Sequence, residues 1–174
     1  ADTNNTSDGI TSDATVDVTG IEANATWEYS VNNGTSWTTG TGSSFEVPEG
    51  TYADGHIQVR QTDVAGNIST VGALSGAITI DTTAPTAPTL ALTADTNNTS
   101  DGITSDATVD VTAIEVNASW EYSVNNGTSW TIGAGSSFGV PEGIYADGHI
   151  QVRQTDEAGN ISTVGALPGA ITVD

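Results

Sequence analysis

Residues 26–39 read Thr-Trp-Glu-Tyr-Ser-Val-Asn-Asn-Gly-Thr-Ser-Trp-Thr-Thr, and residues 119–132 repeat the stretch with changes only at Ser119 and Ile132. Trp27, Tyr29 and Val31 alternate with Glu28 and Ser30. That period of two places one set of side chains on a buried face of a sheet and the other set on its opposite face. Asn32-Asn33-Gly34 follows, residue types that accept a left-handed backbone at low cost, and the chain returns through Trp37. The stretch therefore predicts a β-hairpin with Trp27 facing a core.

The same alternation extends to both sides of the hairpin. Before it, Val16 and Val18 point one way and Thr15, Asp17 and Thr19 the other. After it come Phe45 and Val47, a Pro48-Glu49-Gly50 turn, Ile57 and Val59, an Ala65-Gly66-Asn67 turn, and finally Ile78 and Ile80. No segment carries a sustained helical stripe. Short alternating strands separated by turn residues fit a seven-strand immunoglobulin-like sandwich.

A longer repeat encloses the hairpin. Ala-Asp-Thr-Asn-Asn-Thr-Ser-Asp-Gly begins at Ala1 and again at Ala94, a period of 93 residues, and residues 1–81 align with 94–174 without a gap. The copies differ at ten positions, among them Gly20/Ala113, Thr39/Ile132, Glu46/Gly139, Val64/Glu157 and Ser75/Pro168. A period of this size suits an independently folding domain rather than a solenoid unit. Between the copies runs Thr-Thr-Ala-Pro-Thr-Ala-Pro-Thr-Leu-Ala-Leu-Thr, 82–93, in which Pro85 and Pro88 favour extended backbone and Leu90 and Leu92 alternate as in a strand. The expected organisation is all-β, with two tandem immunoglobulin-like sandwiches placed end to end. The first covers 1–81 and lacks its first strand. The second covers 82–174 and includes the Pro-containing linker 82–89.

Composition narrows the functions open to such a chain. Twenty-two acidic residues against two basic ones give a formal charge of −20, and Arg60 and Arg153 are the whole supply of cations for phosphate contacts. Nucleic-acid binding by counterion release is thereby excluded as an expectation, and an anionic membrane surface would repel the chain. No run approaches the roughly 20 apolar residues that span a bilayer, so direct membrane insertion is not expected. Cysteine is absent, which removes disulfides, thiolate nucleophiles and cysteine-based metal sites. Apolar residues are 36% and charged ones 14%, so the polar share is Thr, Ser, Asn and Gly rather than a charged disordered tail. With no Met, even at position 1, the sequence reads as a segment of a longer chain.

The carboxylates invite a metal reading. In a sandwich whose chain runs up and down, the A–B, C–C′ and E–F loops share the end where the last strand exits and the B–C and F–G loops share the entry end, so exit loops of the first domain are expected to meet entry loops of the second. The expected junction set is Asp8, Asp13 and Asp54 from the first domain, Asp81 with Thr83 in the linker, and Glu115 and Asp156 from the second. Close carboxylates repel by about 1 kcal/mol per pair even in high dielectric unless a cation sits among them. Ca2+ is the natural guest, since it takes 6–8 oxygen ligands and the chain offers oxygen donors with little competing nitrogen. A second candidate is the loop Asp2 to Gly9, repeated from Asp95 through Asp101 to Gly102, which resembles half of an EF-hand loop but lacks its closing Glu. Asp, Asn and Ser also build turns by bonding to nearby backbone, so that loop has a purely structural reading as well.

Little supports catalysis, and the expectation is a non-enzyme. No nucleophile–base–acid set stands out, no phosphate-cradling glycine loop follows a strand, and Lys is missing altogether. Trp37 and Trp130, beside the hairpin turns, are the residues on which a weak glycan contact would rest. Arg60 faces outward, where Glu28 on the neighbouring strand can pair with it across the sheet. Tyr52 and Tyr145 are expected to form corners, and His56 and His149 to be no ligands.

Thr-Asp-Val-Ala-Gly-Asn at 62–67, its twin Thr-Asp-Glu-Ala-Gly-Asn at 155–160, and Asp81-Thr-Thr-Ala-Pro85 carry a family resemblance. The chain resembles tandem bacterial immunoglobulin-like repeats from giant RTX-type surface adhesins exported by type I secretion. The resemblance covers both copies and implies an extracellular extender segment on the surface of a Gram-negative bacterium. It would hold a distal ligand-binding region away from the cell, with neighbouring repeats of the same chain as its partners. By that resemblance Asp81, Glu115 and Asp156 would bind calcium at the junctions. The alternative is an adhesin module that itself grips a glycan or surface.

Overall fold

A computed structural model describes residues 3–5 and 7–174, and among them every regular element is a β-strand. The chain divides into two compact units, Ala1–Thr83 and Ala84–Asp174, each with its own apolar core. The architecture is that of immunoglobulin-like β-sandwiches in tandem.

Unit one contains β1 (Ile10–Thr11), β2 (Thr15–Asp17), β3 (Thr26–Ser30), β4 (Thr38–Thr39), β5 (Ser44–Glu46), β6 (Gly50–Tyr52), β7 (Gln58–Thr62), β8 (Gly72–Ala73) and β9 (Ile78–Ile80). The order β4-β3-β7-β8 makes one sheet, β2 pairs with β5 on the other side of the core, and β1-β9-β6 forms a small third sheet. The expected hairpin is present: Glu28 faces Thr39, and Asn33 and Gly34 turn the chain at φ of 55° and 75°. Alternation is borne out too, because Trp27, Phe45 and Val47 are buried while Glu28 and Glu46 face outward. The expected seven strands appear as nine short ones, since two-residue pieces such as β1 and β8 are too brief to leave a pattern in sequence.

Trp27 anchors this core. Its ring lies 6.2 Å from that of Tyr29 and 6.0 Å from that of Phe45, tilted in both cases, while Tyr29 and Phe45 stack at 4.1 Å. Tilted and offset contacts let the positive edge of one ring meet the negative face of another. The indole N–H donates to the Gly42 carbonyl at 3.2 Å, so the one polar atom of the ring is satisfied. Gly40 is required beside it, because a methyl there would collide with the Trp27 ring.

Unit two repeats the plan. Its strands are β10 (Thr89–Leu92), β11 (Ile103–Thr104), β12 (Thr108–Thr112), β13 (Ser119–Ser123), β14 (Thr131–Ile132), β15 (Ser137–Gly139), β16 (Gly143–Tyr145), β17 (Gln151–Thr155), β18 (Gly165–Ala166) and β19 (Ile171–Val173). The sheet β14-β13-β17-β18 covers the core from one side, β10-β12-β15 from the other, and β11-β19-β16 completes the unit. The added element is β10, antiparallel to β12 with Thr89 opposite Thr112 and Leu92 opposite Val109. Among the described residues, no strand takes the equivalent place beside β2.

Candidate functional site

The connecting segment is bonded into each unit by the expected Thr83 and Glu115 together with Glu49, Thr82 and Gln154, which sequence reasoning passed over. In unit one the Glu49 Oε2 accepts from the Thr83 hydroxyl at 2.9 Å, the Thr82 hydroxyl at 3.0 Å and the Thr82 amide at 3.4 Å. Those donors, Thr83 foremost, hold the Glu49 carboxyl below its ordinary range. Asp81 closes a local turn, accepting from the Thr83 amide at 3.1 Å, and its own amide donates to the Thr11 carbonyl at 2.9 Å. In unit two the Thr86 amide donates to Glu115 Oε1 at 3.3 Å, and the Thr86 carbonyl accepts from Gln154 Nε2 at 2.7 Å. Gln154 also donates to the Ala113 carbonyl and accepts from the Glu115 amide, so one fully buried amide ties three chain segments together. Pro88 is fully buried just beyond it. A signal for Gln154 exists in the sequence: it shares parity with the inward residues Ile150 and Val152, and a polar residue on an inward row has a buried hydrogen-bonding role.

The structure separates several of the expected junction ligands. β6 runs antiparallel to β9, Gly50 opposite Ile80 and Tyr52 opposite Ile78, so Asp54 lies before the start of β9, where its Oδ1 accepts from the Gly76 amide at 2.7 Å. β1 runs parallel to β9, which brings Asp8 to that same starting end, where it accepts from the Ile10 amide at 2.9 Å. Asp81 follows the far end of β9, roughly 10 Å of strand away at about 3.3 Å per residue. Grouping Asp8 and Asp54 with Asp81 is therefore corrected: the antiparallel β6–β9 pairing leaves Asp54 before the start of β9, and the parallel two-residue bridge inside the first long loop brings Asp8 to the same end. Asp13 does stay near Asp81, and the Thr15 amide, at 2.9 Å, lowers its carboxyl pKa.

The second unit's candidates are already engaged with protein donors. Asp156 is 8% exposed, and its two oxygens accept from the Asn160 amide at 2.8 Å and the Asn160 side chain at 2.9 Å. The twin Asp63 makes the same turn with Asn67, whose side-chain amide, followed by its backbone amide, lowers the Asp63 carboxyl pKa. The Thr-Asp-x-Ala-Gly-Asn motif is thus first of all a turn that caps itself. Asp101 accepts from the Ile103 amide at 3.0 Å and sits before the start of β19. Asp95 accepts from the Gly102 amide at 3.2 Å through Oδ2, while its Oδ1 is buried with no hydrogen-bond partner. Asp2 lies outside the described residues. Among those described, no three His, Asp or Glu side chains gather as a metal-holding group.

The aromatic candidates are covered. The Arg60 guanidinium lies over the Trp37 ring at 4.1 Å and pairs with Glu28 at 2.8 Å, and Arg153 repeats this with Trp130 at 4.3 Å and Glu121 at 2.9 Å. The cross-strand Glu28–Arg60 pair is as expected, since the two residues are in register. Tyr52 and Tyr145 form corners, each hydroxyl donating at 2.8 Å to the carbonyl four residues back, at Pro48 and Pro141.

No family model matches the chain, and no curated protein sequence matches it. Among solved structures it is similar to the fibronectin(III)-like modules of Clostridium thermocellum CbhA, with 16% sequence identity, a TM-score of 0.45, and coverage of 89% of this chain and 82% of that one.

Proposed function

We propose that the chain is an extender segment of a bacterial surface adhesin, a non-enzymatic pair of β-sandwich spacers that calcium stiffens outside the cell. The observation that carries this reading is the connecting segment. Thr82 and Thr83 are bonded to Glu49 in one unit, and Thr86 to Glu115 and Gln154 in the other, so little chain is left without an anchor. A flexible tether needs no such bonds; a spacer that must keep its reach does.

Asp81, Thr83, Glu115 and Asp156 are the residues that would hold a junction ion, each offering a side-chain oxygen of the kind calcium takes. Support for a cation in the second unit's long loop comes from Asp95, whose Oδ1 is shut away from water without a donor. A charged oxygen in that position costs free energy that a bound cation offsets. When bound, the ion would supply charge neutralisation and cross-linking of loop oxygens. The glycan-binding alternative loses support because Trp37 and Trp130 each have a guanidinium over one ring face.

Small-angle scattering of the chain in millimolar calcium and in chelator tests the proposal. A longer maximum dimension with calcium supports a stiffened spacer, and an unchanged one removes the calcium mechanism. Calorimetric titration on Asp95→Asn and Glu115→Gln variants then separates the loop from the junction.

A further inference from the structure

Unit one carries a groove of about 430 Å³ lined by fifteen residues, including Val16, Val18, Val59, Gln61, Gly72 and Leu74. Every one of the fifteen is identical to its counterpart 93 positions on. In unit two the counterpart of this groove is full: β10 lies in it, paired with β12 and packed on β17 and β18. The occupant accounts for a matched change in burial. Val109, Val152 and Leu167 are 0%, 0% and 3% exposed, whereas Val16, Val59 and Leu74 are only half-buried.

Polar groups match as well. Gln154 Nε2 donates to both the Ala113 and Thr86 carbonyls, but Gln61 Nε2 donates to the Gly20 carbonyl at 3.1 Å and has no strand carbonyl beside it. Glu22, the counterpart of Glu115, likewise holds its amide on the glutamine side chain, at 2.8 Å from Gln61 Oε1.

From this we infer that the groove of unit one is an acceptor for a donor strand. Its occupant is an extended polypeptide segment of the chemistry this chain carries at 84–93, added to the free edge of β2. The requirements are legible in β10. Two apolar side chains two residues apart, Leu90 and Leu92, enter the core, and the alternate Ala91 faces out. A proline two residues before the first of them, Pro88, fills the space over Gly165, where a methyl group would collide with the proline carbonyl. A carbonyl two residues earlier meets the glutamine amide. Recognition of this kind draws affinity from main-chain hydrogen bonds and specificity from pockets for alternate side chains.

Gly72 provides a selective test. It is exposed and free of positive φ, and a methyl there would approach nothing nearer than the Val59 carbonyl at 3.8 Å, so Gly72→Ala leaves the groove intact without a strand but blocks one from entering. The experiment titrates a synthetic peptide of sequence 84–93 into the full chain by calorimetry, in chelator so that the outcome is independent of calcium, with amide NMR shifts as a second readout. One peptide is expected to bind per chain, because unit two is filled by its own strand. Shifts are expected at Val59, Gln61 and Gly72. Binding should vanish for a peptide carrying Leu90→Asp and Leu92→Asp and for the Gly72→Ala chain, whose melting profile alone stays as in the parent. Absence of heat and shifts at millimolar peptide overturns the inference, as does binding that survives Gly72→Ala. Self-association of the chain that Gly72→Ala abolishes would overturn it in favour of a second copy as occupant.

Discussion

Truncating Leu90 to Ala measures what β10 contributes to unit two. Leu90 is 6% exposed and shares a cluster with Val109, Val111, Val152 and Leu167. Loss of three buried carbons removes about 2.4 kcal/mol at about 0.8 kcal/mol per CH2. The void left behind adds to this, though a strand at a sheet edge relaxes more readily than a central one, so about 3 kcal/mol is expected, within the roughly 2–5 kcal/mol range for such changes. For a unit of about 90 residues each kcal/mol moves the midpoint by about 4–8 °C, giving a fall of about 12–24 °C. Unit one has no counterpart of Leu90 among its described residues, so its own transition should stay where it is. Differential scanning calorimetry of the full chain reads both transitions, and hydrogen exchange assigns them through peptides that span the ten differing positions. In the parent chain, unit one should melt first, since its groove is open. A shift under about 4 °C, or an equal fall in both units, would contradict the assignment of β10 to the core.

Gly133→Ala drives a methyl into the Trp120 ring and should cost unit two about 1–3 kcal/mol, read as a lower urea midpoint. Arg153→Gln removes both the Glu121 pair and the cover over Trp130; at a third-exposed site the loss is about 1 kcal/mol, diminished by salt, with a change in tryptophan emission. Glu49 gives a pH dependence whose sign is fixed: its carboxyl pKa is lowered in the folded chain from an ordinary value of 4.5, so its contribution is present above that pH and lost as pH falls through the folded value. Urea midpoints taken from pH 6 downward should therefore fall more steeply below pH 4.5 in the parent than in Glu49→Gln, and parallel curves would rule this out.

The sandwich could be read from sequence where a local rule dictates it. Asn33-Gly34 must turn left-handed, Trp27, Tyr29 and Val31 must share a face, and Arg60 opposite Glu28 follows from adjacent strands in register. What could not be read depends on partners far along the chain. Gln154 meets Thr86 across 68 positions, and no periodicity announces such a bond. The displaced positions of Asp8 and Asp54 have the same origin: the short pairings of β1 and of β6 with β9 leave no alternating pattern, yet they decide which end of the unit a carboxylate occupies. Counting acidic residues likewise could not show that Asp156 and Asp63 spend their oxygens on Asn160 and Asn67.

The identity of the fifteen groove residues in the two copies has a consequence for biosynthesis. Two clefts lined alike compete for the one ribbon at 84–93, and sequence gives no reason to prefer the correct cleft. Selection must then fall to the tether: a ribbon joined to its own module by a short connection is present at an effective concentration of order millimolar, whereas a ribbon on another copy of the chain is dilute. Correct assembly of near-identical modules is thus a contest of distances, and lengthening the stretch between Leu92 and β12 is the change that would tip it towards entanglement between neighbours.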